Sequence, residues 1–269
     1  MGKSAQILFH VWLADAMEGC QRQVLNCLYT HAFATSLKYN TKTYHNLKNE
    51  NLTQNNTEFP YKYGTVEYAI LIGLMLGDGH LRLSANKKTA RYAQTCKYKE
   101  PLIDLDTHKI PFIFNAGVPA PYPNEKPTQY TRSSKTYSHL QKVWSLWYIN
   151  NPISKARHHY IKILPKQMIY DHFSVHGDIL MAYWFMNDGY WENDDKTFLF
   201  CTESFSKLEV DFLRSQLKRM GIKAGTRKRG NGYRIRVSRY SVVTFRELIQ
   251  KHLLPVYMYK LGTNSSTSQ

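Results

Sequence analysis

The sequence predicts an α/β (α+β) chain of two similar halves, each running helix-strand-strand-helix-strand-strand-helix, with antiparallel sheets. Three observations carry this expectation. Two apolar helices each run into an Asp-Gly pair, polar-apolar alternation after each one marks strands, and the element order then repeats.

The first helix is Leu71-Ile72-Gly73-Leu74-Met75-Leu76-Gly77-Asp78-Gly79, preceded by Tyr68, Ala69 and Ile70. Gly73 and Gly77 lie four apart on one face, where small residues let another backbone approach. Gly79 is the expected stop, in the left-handed conformation that ends helices. Asp78 is out of place there. The carboxyl end of a helix is its negative end, so an acid is unfavourable unless a cation shares the site.

A second apolar helix, Ile179 to Asn187, runs into Asp188-Gly189, with the acid 110 residues after the first. Packed side by side and parallel, the two helices bring both carboxylates to one spot, beside unpaired helix-end carbonyls. Two adjacent carboxylates repel unless a divalent cation neutralises them, and hard oxygen ligands suit magnesium. Asp78 and Asp188 are therefore the expected metal ligands, with the backbone carbonyls of Gly77 and Asn187 as further donors. For either acid alone, a turn-capping Asp is as good a reading. Two copies at equivalent places make that coincidence a poor explanation.

After Gly79, the stretches His80–Ser84 and Ala90–Tyr98 alternate around an Asn86-Lys87-Lys88 turn, predicting a hairpin. Leu102 to Phe114 reads as a helix interrupted by Pro111, Gln129–Ser133 as a polar strand and Ser138–Tyr148 as an amphipathic helix. The second half offers a strand at Thr197–Cys201, a helix from Ser206 to Met220, two strands flanking Gly230-Asn231-Gly232 and a closing helix over Val242–His252. Such sheets, faced with Arg, Lys, Gln, Tyr and Thr, do not fit a doubly wound enzyme. A strand ribbon fits the DNA major groove. Arg227, Arg229, Arg234 and Arg236 alternate across the Gly-Asn-Gly turn and are expected to share one face, with Arg82, Arg91, Lys97 and Arg132 as the basic set on the first half's strands. Taken alone, a basic hairpin is more often a solvated surface.

The chain of 269 residues carries a formal charge of +16, which implies a polyanionic partner or an anionic membrane. Residues 1–60 hold five basic and four acidic residues, leaving 31 basic and 16 acidic for 61–269. The surplus thus lies with the two motifs. The four cysteines (Cys20, Cys27, Cys96, Cys201) show no paired spacing and predict reduced core thiols. No apolar run approaches the ~20 residues of a membrane span, and Ile7–Ala14 makes a poor signal core. Position six lacks the hydroxyl residue of a myristoylation signal. Segment 5–36 has apolar residues at helical spacing, and 39–59 reads as an Asn-rich linker.

The first motif matches the LAGLIDADG signature at Leu71, Gly73, Leu74, Asp78 and Gly79, and the second at Ala182, Asp188 and Gly189. The chain resembles the two-motif LAGLIDADG homing endonucleases of the omega-type subgroup, over roughly residues 61–262. That resemblance implies a homing endonuclease-like fold of two αββαββα halves about a pseudo-twofold axis. The halves would span 61–160 and 161–262, with 1–60 an extension that a chain begun near Tyr61 could lose and 263–269 a tail. It implies site-specific, magnesium-dependent double-strand cleavage of a long DNA target by a monomer, leaving short 3′ overhangs. It also implies that the protein is encoded in an organelle intron, in a mitochondrion or chloroplast. Lys162, three residues before Pro165, and Lys260, in the closing Pro255…Met258-Tyr259-Lys260-Leu261 segment, carry over as active-site lysines of the two half-sites.

Two positions depart from the signature. Tyr183 replaces its small third residue and Asn187 its seventh, and Tyr183 would push the helices apart unless Gly73 and Gly77 make room. An RNA-binding maturase acting on its own intron RNA is the alternative on the same fold, but such a protein has no need of both acids. A cleavage-dead repressor would have lost one. His158, His159, His172 and His176 invite a metal or HNH-nuclease reading, but that family's acid and second-ligand pattern is missing.

Overall fold

The computed structural model describes residues 43–47, 59–110, 114, 117–123, 126–151 and 160–262. The helices expected in 5–36, most of the Asn-rich stretch, Cys20, Cys27, His158, His159 and the tail 263–269 lie outside the described residues. In the first half, helix α1 (Val66–Leu76) leads to strands β1 (His80–Leu83) and β2 (Ala90–Cys96), helix α2 (Glu100–Asp104), β3 (Ala120–Tyr122), β4 (Gln129–Ser133) and α3 (Ser138–Trp147). A hairpin of β5 (Tyr148–Asn150) and β6 (Tyr160–Lys162) joins the halves. The second half comprises α4 (Lys166–Asp188), β7 (Gly189–Glu192), β8 (Thr197–Phe200), α5 (Lys207–Arg219), β9 (Ala224–Arg229), β10 (Gly232–Val237) and α6 (Val242–Gln250). A 3-10 helix over Pro255–Leu261 follows.

The repeat is borne out at the level of sheet topology. The sheets run β1-β2-β4-β3 and β7-β8-β10-β9, the same order in each half, and every pairing is antiparallel. Several elements differ from expectation. The helix foreseen over Leu102–Phe114 is one turn of α-helix followed by a π-helical turn at Leu105–Lys109. The three-residue strands β3, β5 and β6 are too brief for alternation to mark them.

Helix α1 is buried from Tyr68 to Leu76 and packs along the C-terminal part of α4. A helix apolar on all sides belongs inside a core. Gly73 faces Leu180, Tyr183 and Trp184, and Gly77 faces Asn187, so the two helices run parallel. A methyl carbon on Gly73 would fall 2.6 Å from the Leu180 carbonyl oxygen. The glycines of α1 thus make the room that Tyr183 and Asn187 need. Phe198, Phe200, Ile235 and Val237 turn one face of the second sheet onto α4 and Phe245 of α6.

Two expectations are corrected. Gly79 does not end its helix in the left-handed region, since it is not among the positive-φ glycines, and its counterpart Gly189 is extended (φ −88, ψ 151). They are small because the chain doubles back tightly. A Cβ on Gly79 would meet the Leu74 carbonyl at 2.6 Å, and one on Gly189 the Phe185 ring at 2.0 Å. The boundary expected at residue 60 also fails. Leu47 and Phe59 are buried, Phe59 stacks on His139 with ring centroids 4.8 Å apart, and the Tyr44 hydroxyl donates to Asp171. Tyr44, Leu47 and Phe59, all before Tyr61, therefore belong to the packed core.

Candidate active site

The antiparallel hairpin β5–β6 pairs Tyr148 with Lys162, which carries the Lys162 side chain to the end of α1. Its Nζ donates to the carbonyls of Gly77 (3.2 Å) and Gly79 (2.9 Å). From the 3-10 helix, Lys260 Nζ donates to the carbonyls of Met186 (2.7 Å) and Asn187 (3.3 Å) at the end of α4. Each lysine thus caps one motif helix, satisfying carbonyls that a helix end leaves unpaired and placing a cation at its negative pole. The two lysines thus occupy equivalent places in the two halves.

Asp78 and Asp188 stand beyond these caps. Asp78 reaches solvent, yet the protein packed around it pushes its carboxyl above the ordinary range, against the pull of Lys260 and Lys162. Burial, reinforced by the neighbouring Asp78 charge, pushes Asp188 up to about 7. Burial brings Lys162 down to about 8 and lowers Lys260 as well, while both acids pull the other way. Two neighbouring carboxylates whose charged forms are disfavoured are what a divalent cation would stabilise, since its charge reverses the penalty. The donor set is hard oxygen throughout: two carboxylates and the carbonyls of Gly77 and Asn187, each of which keeps a second lone pair beside its lysine. These residues fit a magnesium-type ion.

Among the described residues, no group of three or more His, Cys, Asp or Glu side chains gathers as a metal cluster. His172 accepts from the Gly64 amide through Nε2 (3.1 Å) and bonds the Met168 carbonyl through Nδ1 (2.8 Å), while His176 bonds the Gly64 carbonyl. Both serve packing.

Residues 68–245 match the LAGLIDADG DNA endonuclease family. The chain belongs to that family. It is 27% identical over 131 residues to the probable intron-encoded DNA endonuclease 3 of Mycosarcoma maydis, spanning 47% of this chain and 90% of that one. The fold is that of the homing endonuclease I-WcaI, solved bound to its DNA recognition sequence (TM-score 0.60, 19% identity, 81% of this chain and 91% of that one). A looser likeness holds to I-DmoI in complex with DNA and Mn (TM-score 0.44, 13% identity, 71% and 99%).

In this LAGLIDADG chain the sheets turn one face to the core and the other outward. Arg82 and Arg91 are direct cross-strand partners and both are exposed. Lys97 is exposed just past β2. Arg227, Arg229, Arg234 and Arg236 share the outer face of the second sheet with Tyr190 and Glu192, as alternation predicts. Arg132 does not join them. It pairs in register with Gln94, on the inward parity of the first sheet, and is 7% exposed, ion-paired to Asp106 and bonded to the Gly117 carbonyl (2.6 Å). The charge of Asp106 holds Arg132 inside, so it is a core residue and not part of the outer face.

Sequence reasoning missed Gln94. It donates to the Asn187 side chain (2.7 Å), which in turn bonds the Tyr183 carbonyl, while the Tyr92 hydroxyl donates to Gln94. A polar residue at an inward strand position, between Tyr92 and Cys96, is the signal that could have found it. The acids Glu192, Asp195 and Glu203, which engage the outer arginines, were also missed.

Proposed function

We propose that this chain is a site-specific, double-strand DNA endonuclease of the homing type, acting as a monomer with magnesium. One observation carries the reading: Asp78 and Asp188 arrive together at parallel helix ends, each with its own lysine, between two sheets of identical topology. Asp78 and Asp188 would hold the cations, with the carbonyls of Gly77 and Asn187 as further donors. Bound there, the metal supplies an activated water and neutralises charge developing on the phosphate. Lys162 and Lys260 steady the phosphate charge on one strand each, and the arginines of both outer faces hold the duplex in register.

The two acids favour cleavage over a purely RNA-binding maturase, which has no use for two mutually repelling carboxylates at neighbouring helix ends. A protein of this type, encoded by an organellar intron, would cut the intronless allele of its host gene. Incubating the purified chain with magnesium and a plasmid bearing that allele should give linear product whose ends carry short 3′ overhangs. Intact plasmid, with magnesium present and the protein folded, would refute the reading.

A further inference from the structure

The four outer-face arginines of the second sheet are held in different ways. Arg227 spends Nη1 on Glu192 (2.7 Å), with Asp195 at 3.6 Å, and Arg236 spends Nη2 on Asp195 (3.1 Å). One terminal nitrogen of each is thus drawn to an acid, and among the described residues neither guanidinium is held through its Nε. Arg229 is exposed and shows no ion pair with an acid among the described residues. Arg234 is gripped from the side instead: Nε pairs with Glu203, and Nη1 donates to the Tyr190 hydroxyl (2.8 Å), with the guanidinium 5.6 Å from that ring's centre. A guanidinium has five N–H donors. Three remain on Arg234, all on its Nη end, and its side chain is 23% exposed against 50% for Arg227.

The grip is itself fixed. The Thr202 hydroxyl donates to the Tyr233 carbonyl (2.6 Å), tying the loop after β8 to β10. At Gly232, a Cβ would fall 2.6 Å from the Glu203 carbonyl, so the Glu203 backbone is seated directly against that strand. Tyr190 pairs in register with Leu199, which is fully buried yet lies on the parity opposite Phe198 and Phe200. The outer side chains therefore form a packed layer.

We infer that Arg234 reads a guanine in the target's major groove and that Glu203 and Tyr190 are positioning residues that hold its Nη edge toward the base. An arginine whose end carries parallel N–H donors matches the O6 and N7 acceptors of guanine, and pre-orienting it lowers the entropy lost on binding. Arg229, without an acid to orient it, contacts phosphate. This inference rests on the DNA-endonuclease reading.

The test selects duplexes from a randomised pool by binding, with cleavage of the same pool measured in parallel. Arg234→Ala and Arg234→Lys should each lose preference for guanine at one position by roughly 10- to 100-fold, while lysine preserves the salt dependence. Glu203→Gln and Tyr190→Phe, conservative enough to keep the fold and checked by melting temperature, should relax that same position several-fold. Arg229→Ala should weaken all sequences alike. Uniform loss on changing Arg234, relaxation of different positions by the three variants, or no sequence preference in the parent chain would each overturn the assignment. Intact preference without any cleavage would leave it standing and refute the endonuclease reading alone.

Discussion

The backbone of Gly77 rests directly on the side chain of Asn187: a methyl carbon built on Gly77 would lie 2.4 Å from the Asn187 Cβ. The interface between the motif helices is therefore sized for hydrogen at this position. Gly77→Ala should destabilise the protein by about 1–3 kcal/mol, the usual cost of overpacking. It should also reduce cleavage by moving Asp78 relative to Asp188. Gly73→Ala, which meets the Leu180 carbonyl, should cost at least as much, because backbone yields less readily than a side chain. Urea denaturation checks both, and unchanged midpoints would show the helices can slide apart freely.

Each acid is expected to be indispensable for chemistry and dispensable for binding. Asp78→Asn or Asp188→Asn should abolish double-strand cutting while leaving target affinity near that of the parent chain. Mobility-shift and plasmid assays on the same preparations separate the two effects. A variant cutting both strands near the parental rate would remove that acid from the metal site.

The lysines cap different helices, so their loss should be felt unequally by the two strands. Lys162→Met or Lys260→Met should accumulate nicked circles before linear product appears. Each also strips a charged donor from two half-buried carbonyls, a loss of about 1–3 kcal/mol of stability. Equal slowing of both strands would point to a global effect.

Tyr44, Leu47 and Phe59 contribute to the core, so a chain begun at Tyr61 should melt well below the full chain. Phe59→Ala isolates the main contact. Removing a buried ring that stacks on His139 should cost about 3–5 kcal/mol. An unchanged melting temperature for either would restore the boundary at residue 60.

Two buried histidines should each weaken the fold on mild acidification. His139 and His172 are buried, and burial brings both down to about 4. Each is neutral in the folded state, whereas the unfolded chain takes up protons below about 6.5. Their contribution is therefore fully present above pH 6.5 and is lost as pH falls toward 4, by at most about 3 kcal/mol each. The raised carboxyl of Asp188 works the other way, gaining stability as pH falls through about 7. Between pH 7.5 and 5 the denaturation midpoint of the parent chain should therefore fall relative to that of His139→Gln, and equal pH slopes for the two would mean the rings stay hydrated.

By itself the sequence determined the two motif helices, their parallel pairing through Gly73 and Gly77, the meeting of Asp78 with Asp188, and the shared face of Arg227, Arg229, Arg234 and Arg236. These depend on periodicity and on a repeat, both of which are local or self-similar along the chain. Tertiary structure alone decided the rest. Arg132 looked like its neighbours on a polar strand, but which parity faces the core is set by the layer beneath, and Asp106 draws it inward. Gly79 looked like a left-handed cap, yet it is small because Leu74 crowds it, as Phe185 crowds Gly189. Glu203 and Tyr190 stand 31 and 44 residues from Arg234 in the chain, and only the sheet brings them to it. Contacts of that range follow from how faces pack, and no window of residues encodes them.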